Sequence, residues 1–128
     1  MLIKVAAGII LRDDKVFISL RKSNQHQGGL WEFPGGKCEP SESASSALLR
    51  ELKEECDIFV TDYVLFKKIS HDYGDKQVEL SFYKVTEFQG DPIGKEGQEV
   101  RWVTISDLLS YEFPEANKMI VTELMNTQ

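Results

Sequence analysis

The sequence predicts an α/β (α+β) protein in which a mixed β-sheet is sandwiched between helices, forming an α/β/α sandwich. Val- and Ile-rich stretches separated by turn residues predict the strands, and an amphipathic pattern over residues 44–56 predicts a helix. Two long alternating segments joined by a short polar turn predict an antiparallel pair. With 128 residues, 41% of them hydrophobic, we expect residues 1–128 to form a single domain.

The first two strands are predicted at the N-terminus. Ile3 to Leu11 is apolar and β-branched, which is typical of a buried strand. Gly8 within it suggests a close approach by another backbone or by a ligand. A turn follows, and Val16 to Leu20 forms the second strand. Arg21, at its end, is either a solvated strand terminus or a contact for the phosphates or base of an anionic substrate.

A polar loop and a Gly-Gly segment follow. The stretch from Ser23 to Gly29 is polar and ends in glycine, which predicts a loop. Residues 30–33 predict a short strand that Pro34 ends. Gly35 and Gly36 then allow the backbone to come close to a metal or a phosphate.

The helix over residues 44–56 carries an acidic group near its end. Ser41 and Ser43 are its candidate N-caps. Its predicted core-facing side chains are Leu48, Leu49, Leu52 and Cys56. Three carboxylates, those of Glu51, Glu54 and Glu55, gather at the seam between the helix and the body of the protein. Like charges near a helix C-terminus repel one another, so these acids either form a solvated face or bind a divalent cation such as Mg²⁺ or Mn²⁺.

The second half of the chain predicts three more strands and two helices. The strands are Phe59 to Ile69, Gln77 to Phe88 and Glu99 to Val103; the helices are Asp107 to Ser110, capped by Ser106, and Glu115 to Met125. Met119, Ile120 and Leu124 are expected to face inward. Glu96 lies at the centre of a Gly-rich loop of about ten residues, a length that is often functional. Asn117, in the first turn of the last helix, is either a helix-start residue or a reader of a purine edge.

Composition restricts the partners. The net charge of −6 and the lack of a basic face argue against a nucleic-acid polymer. Cys38 and Cys56 are too few and too poorly spaced for a zinc site, and they suggest reduced thiols in a cytoplasmic protein. No apolar stretch approaches the length of a membrane span. Nothing marks a subunit interface, so we expect a monomer.

The spacing around the acidic helix resembles the box of the Nudix hydrolases. Eight residues carry the resemblance: Gly36, Glu42, Arg50, Glu51, Leu52, Glu54, Glu55 and Ile58. The family usually has Gly where this chain has Asp57, a residue that tolerates the left-handed conformation of a helix C-cap. The resemblance implies the Nudix fold and cleavage of a nucleoside diphosphate linked to another group.

The resemblance extends along the chain to the family members that remove 8-oxo-dGTP from the nucleotide pool and so prevent mutation. It then rests on residues 7–10, 32–37, 94–98, 113–114 and 116–117. It implies divalent ions held by the carbonyl of Gly35 and by Glu51, Glu54, Glu55 and Glu96. It also implies that Asn117 binds the oxidised base, with Phe33 and Val78 nearby, Arg21 on the nucleotide and Lys37 beside the phosphates. Two positions depart from these members: Lys76 stands where Arg is common, and Ser41 where Gly is.

The implied reaction is metal-dependent hydrolysis of a nucleoside triphosphate to a monophosphate and pyrophosphate. Glu51 or Glu54 is the candidate general base. Arg50 is expected to hold these acids in place, and Glu42 to hold Arg50. One alternative is a Nudix pyrophosphohydrolase for another nucleotide, such as CTP or other pyrimidine triphosphates. A non-catalytic binding module is the other alternative, against which the intact acids count.

Overall fold

The computed structural model describes residues 1–21 and 28–127, so most of the predicted loop from Ser23 to Gly29 lies outside the described residues. Within them the chain forms seven strands, two α-helices and one 3₁₀ helix. The strands are β1 (Leu2–Arg12), β2 (Lys15–Leu20), β3 (Trp31–Glu32), β4 (Gly35–Lys37), β5 (Phe59–Asp72), β6 (Gln77–Gln89) and β7 (Val100–Thr104). The helices are α1 (Ala44–Cys56), the 3₁₀ helix (Ile105–Ser110) and α2 (Glu115–Asn126).

The strands form one mixed sheet, as predicted. Its main path runs β3-β2-β1-β6-β5, while β4 pairs with β1 and β7 pairs with β2. Strands β1 and β6 are parallel, with Val5 opposite Leu80, and the other pairings are antiparallel. The long strands β5 and β6 form the predicted hairpin around residues 73–76.

Strand β1 alternates between two cores, one on each face of the sheet. Ala7 and Ile9 pack in the core that contains the buried side chains of α2. Ala6 and Ile10 pack in the other core, with the buried side chains of α1. A strand whose neighbouring side chains are all apolar is buried on both faces, which explains its unbroken hydrophobic sequence. The predicted α/β/α sandwich is confirmed.

Helix α1 begins and ends at residues with clear capping geometry. Of the two candidate N-caps, Ser43 is the cap, and its hydroxyl accepts from the backbone N–H of Ser46 at 3.1 Å. Ser41 instead adopts a left-handed φ of 68°. Asp57 forms the left-handed C-cap, with φ 58°, in the position where Gly is usual in the family. Leu49 was wrongly predicted to face the core: it is 36% exposed, and Ala47 is buried instead.

Three further expectations differ from the structure. A Cβ atom on Gly8 would meet the side chain of Leu52 at 2.8 Å, so the residue makes room for helix α1 rather than for a backbone or a ligand. Met119 is 48% exposed because the buried positions of α2 are Ile120, Val121 and Leu124. Ser106 does not cap the 3₁₀ helix; Thr104 occupies the cap position without a side-chain hydrogen bond.

Across the described residues, the structure contains no helix that is both long enough and apolar enough to span a membrane. Cys56 is buried in the core beside α1, and Cys38 is partly exposed. Both thiols are free in the structure, and the reduced state of the cysteines stays a prediction.

Candidate active site

Two of the three acidic side chains of helix α1, those of Glu51 and Glu55, lie against the glycine backbone of strand β4. The predicted position at the seam is wrong for Glu54, whose side chain is 56% exposed. A Cβ atom on Gly36 would lie 2.4 Å from the carboxyl carbon of Glu51, so only glycine lets that side chain rest there. The backbone N–H of Gly35 donates to Oε2 of Glu55 at 3.2 Å. Strand β4 therefore brings the backbone of Gly35 and Gly36 directly to two of the three carboxylates.

Arg50 links the carboxylates of α1 to the loop before the helix. Its guanidinium donates two hydrogen bonds to the carboxylate of Glu42, both at 2.9 Å. It also donates to Oε1 of Glu51 at 2.9 Å and to Oε2 of Glu54 at 3.3 Å. A further bond of 3.1 Å reaches the backbone carbonyl of Lys37. A planar guanidinium with five donors can hold all of these acceptors at once.

The pKa values of the acids divide into two groups. Hydrogen bonds from Arg50, and one from the backbone of Glu39, hold the pKa of Glu42 down to about 2. Burial and the nearby charge of Glu51 raise the pKa of Glu55 to about 8. Burial also raises the pKa of Glu51, although Arg50 opposes the shift. The raised pKa values show that the ionised forms of Glu51 and Glu55 are disfavoured in this environment. A bound cation would stabilise these ionised forms, so the raised pKa values are consistent with a cation-binding site.

The loop between β6 and β7 docks on the C-terminus of α1. The backbone N–H of Ile93 donates to the carbonyl of Cys56 at 3.0 Å, and that of Lys95 donates to the carbonyl of Glu55 at 2.9 Å. These bonds satisfy carbonyls that the helix itself leaves unpaired. They also bring the exposed Glu96 close enough for its charge to contribute to the raised pKa of Glu55.

The donor chemistry of this region fits a hard divalent cation. The candidate ligands are carboxylate and backbone carbonyl oxygens, which Mg²⁺ and Mn²⁺ prefer. In residues 1–21 and 28–127, no three His, Cys, Asp or Glu side chains stand together as a complete ligand set. The Glu51 carboxylate resting on Gly36, the raised pKa of Glu55 and the all-oxygen donors nevertheless suit such an ion. The metal-ligand roles of Gly35, Glu51, Glu54, Glu55 and Glu96 therefore stay predictions.

A pocket of about 430 Å³ lies on the other side of β4. Its walls come from β1, β4, β6, the β5–β6 hairpin tip and the start of α2. All five side chains predicted to bind substrate line it: Arg21, Phe33, Lys37, Val78 and Asn117. Gly35 and Gly36 line it as well, so the same strand borders the acidic group and the pocket.

The polar and aromatic groups of the pocket are held by specific contacts. Oδ1 of Asn117 accepts from the backbone N–H of Phe33 at 3.4 Å, which ties the start of α2 to the strand segment. The ring of Phe33 stacks on that of Phe113, with centroids 5.6 Å apart, and is 3% exposed. Arg21 forms an ion pair with Glu32. Burial raises the pKa of Glu32, although the charge of Arg21 acts in the opposite direction.

For two groups of residues, the sequence patterns alone did not predict a position at the site. Tyr73 and Lys76, from the hairpin tip, line the pocket, although of this part of the chain only Val78 was predicted to lie near the base. Gln98 contacts both Glu96 and the end of α1. The segment 94–98 already carries part of the family resemblance, but no local pattern distinguishes Gln98 from a solvated loop residue.

The described fold agrees with that of known proteins. The sequence model of the NUDIX domain family matches residues 5–123 of this chain. The chain belongs to the Nudix family, whose members are hydrolases that generally need a divalent metal.

Individual relatives are similar over nearly the whole chain. The chain is 36% identical over 123 residues to the 8-oxo-dGTP diphosphatase of Escherichia coli strain K12, and this alignment covers 95% of each protein. It is 34% identical to the CTP pyrophosphohydrolase of the same organism, over 97% of this chain and 92% of that one. A solved MutT structure from work on Aliivibrio salmonicida and Vibrio cholerae superposes with a TM-score of 0.92, at 41% identity and 100% coverage of both chains.

Proposed function

We propose that this protein hydrolyses 8-oxo-dGTP to 8-oxo-dGMP and pyrophosphate, and so removes a mutagenic precursor of DNA replication. The observation that carries the proposal is the position of strand β4. Gly35 and Gly36 border the carboxylates of α1 and also line the pocket that contains Asn117. A nucleotide whose base occupies the pocket would therefore direct its phosphates toward the acids.

The base preference follows from the hydrogen-bonding pattern of an amide. 8-Oxoguanine carries a proton on N7, whereas guanine has a lone pair there. An amide oxygen at Asn117 can accept from N7–H while its nitrogen donates to O6. Guanine would instead face that oxygen with an unprotonated nitrogen, at a cost of about 1–3 kcal/mol. The apolar walls formed by Phe33 and Val78 would exclude the water that otherwise relieves this mismatch.

The charged side chains around the pocket would bind the rest of the nucleotide. Lys37 lines the pocket on β4, beside the acids, and is the candidate for contact with the phosphates. Arg21 lies at the end of β2 on the pocket wall, and its guanidinium can donate to the nucleotide while it remains paired with Glu32.

We propose that Gly35 (through its carbonyl), Glu51, Glu54, Glu55 and Glu96 would hold Mg²⁺ or Mn²⁺. When bound, such ions would neutralise phosphate charge and lower the pKa of attacking water. Glu51 or Glu54 would accept the proton from that water. Arg50 contacts both and would fix their orientation without touching the substrate. Glu42, which receives two hydrogen bonds from Arg50, would hold that guanidinium in turn.

A second candidate substrate is CTP, because one relative at 34% identity is a CTP pyrophosphohydrolase. Pyrophosphate release from 8-oxo-dGTP, dGTP and CTP, each at the same low concentration with Mg²⁺, separates the two. We expect kcat/KM to be highest for 8-oxo-dGTP. A higher value for CTP would assign the protein to pyrimidine nucleotides, and no release from any of the three would contradict a pyrophosphohydrolase.

The proposal has three further parts, which concern the compartment, the oligomeric state and nucleic-acid polymers. The chain acts in the cytoplasm, where its nucleotide substrate and reducing conditions for its two free thiols coincide. It acts as a monomer, and its net charge of −6 disfavours binding to nucleic-acid polymers.

A further inference from the structure

Gln98 lies between the two elements that carry the acids described above. Its Oε1 accepts from the backbone N–H of Glu96 at 3.0 Å. Its Nε2 donates to the backbone carbonyl of Glu55 at 3.4 Å. One half-buried amide therefore contacts both the end of helix α1 and the turn that presents Glu96.

The turn that carries Glu96 is closed tightly. The backbone N–H of Gly97 donates to the carbonyl of Gly94 at 3.0 Å. A Cβ atom on Gly94 would lie 2.1 Å from the carbonyl oxygen of Gln98, so these two backbones are in direct contact. The side chain of Gln98 thus begins from a fixed point at the base of the turn and reaches back to helix α1.

The chemistry of the two contacts suits an amide. One contacted group is a donor and the other is an acceptor, and a neutral amide carries an acceptor oxygen and a donor nitrogen on separate atoms of one side-chain terminus. A glutamate would direct an acceptor toward the carbonyl of Glu55 and add a negative charge beside the acids. A glutamine is also long enough to span from the loop to the helix, as the two distances demonstrate.

We propose that Gln98 is a positioning residue that fixes Glu96 relative to Glu55, so that both carboxylates can engage the same divalent ions. The inference rests on the proposed function, because the metal-ligand roles of the two glutamates belong to it. In this role Gln98 acts through the backbone of each glutamate rather than as a ligand of substrate or metal.

The test replaces Gln98 by methionine, which keeps the length of the side chain and removes both hydrogen bonds. Loss of a contact that orients a metal ligand weakens metal affinity by about tenfold or more. We expect Gln98→Met to weaken Mn²⁺ binding about tenfold, measured by electron paramagnetic resonance without nucleotide. We expect the Mg²⁺ concentration for half-maximal turnover to rise by a similar factor. At saturating Mg²⁺, kcat should change by less than about twofold.

Two further variants make the outcome decisive. Gln89→Met, the same change at an exposed position at the end of β6, should bind Mn²⁺ as the wild type does. Glu96→Gln measures the loss when the carboxylate itself is removed. Wild-type Mn²⁺ affinity in Gln98→Met, with weakened affinity in Glu96→Gln, would overturn the inference and leave the proposed function standing.

Two other results would also overturn it. If Gln98→Met and Glu96→Gln both bind Mn²⁺ as the wild type does, Glu96 is not a metal ligand and there is nothing for Gln98 to position. If Gln98→Met lowers the melting temperature without any change in Mn²⁺ affinity, the amide only stabilises the loop.

Discussion

The carboxyl carbon of Glu51 stands where it would lie only 2.4 Å from a Cβ atom on Gly36. The side chain of a candidate metal ligand therefore rests directly on the backbone of strand β4. The neighbouring Gly35 differs, because a Cβ atom there would lie 2.0 Å from the backbone carbonyl oxygen of Ala6 in the adjacent strand. A flexible side chain can move away from an added methyl group, whereas a paired backbone cannot.

We therefore expect the two glycines to respond differently to alanine. Gly36→Ala should fold with nearly the wild-type melting temperature but lose about a hundredfold in kcat/KM, because Glu51 is displaced from its position. Gly35→Ala should lower the free energy of unfolding by about 1–3 kcal/mol or more, because strands β1 and β4 must separate. Thermal unfolding and turnover of both variants test this contrast. Full activity in Gly36→Ala would show that the position of Glu51 is unimportant.

Asn117→Ala should remove the preference for an oxidised base more than it reduces hydrolysis as such. We expect the ratio of kcat/KM for 8-oxo-dGTP to that for dGTP to fall by about tenfold to a few hundredfold. Asn126→Ala is the matched control, since it changes the same side chain at the exposed end of the same helix. Equal losses for both nucleotides in Asn117→Ala would refute the assignment of Asn117 to the base.

Ser41→Gly should stabilise the protein. Ser41 has a left-handed φ of 68°, a conformation that costs a residue with a Cβ atom about 1 kcal/mol and glycine almost nothing. Part of this gain is lost to the greater freedom of glycine in the unfolded chain, so we expect about 0.5 kcal/mol. Ser45→Gly, inside helix α1, should instead destabilise the protein. Urea unfolding of the two variants checks the opposite signs.

The ion pair between Glu42 and Arg50 should make stability depend on pH in the acid range. Because the folded state lowers the pKa of Glu42 from 4.5 to about 2, the stabilisation is complete above pH 4.5 and disappears as the pH falls toward 2. The difference in melting temperature between the wild type and Glu42→Gln should be constant from pH 5 to 7 and should shrink below pH 4.5. A difference that stays the same down to about pH 2 would show that Glu42 has no such role.

The parts of the fold that depend on local patterns were predictable from the sequence. The helix over residues 44–56 and the β5–β6 hairpin follow from periodicity and turn chemistry, whereas the C-cap at Asp57 was expected from the family resemblance. Two side chains were wrongly predicted to be buried, because a helical wheel gives the direction of the buried face but not its width. Leu49 lies at the margin of that face and is exposed, and Met119 is exposed for the same reason on α2.

Contacts between distant segments could not be predicted in the same way. The reason for Gly8 became clear only when Leu52, from a helix more than 40 positions later, was seen against it. The docking of the loop around Gln98 on the carbonyl of Glu55 likewise depends on the end of α1 lying beside that loop. The substrate-binding side chains of the pocket could be predicted because the family resemblance had already grouped them. Tyr73 could not, because it reaches the pocket only through the geometry of the hairpin tip.

In the proposed mechanism, carboxylates of α1 hold divalent ions so that water can cleave a phosphoanhydride bond. Pyrophosphate release from 8-oxo-dGTP should be measured for the wild type, Glu54→Gln and the exposed control Glu87→Gln, each with Mg²⁺ and with excess chelator. We predict a loss of about 10²–10⁴-fold in Glu54→Gln, unchanged turnover in Glu87→Gln, and no measurable turnover by any of them in chelator. Undiminished hydrolysis by Glu54→Gln, or by the wild type in chelator, would contradict the account.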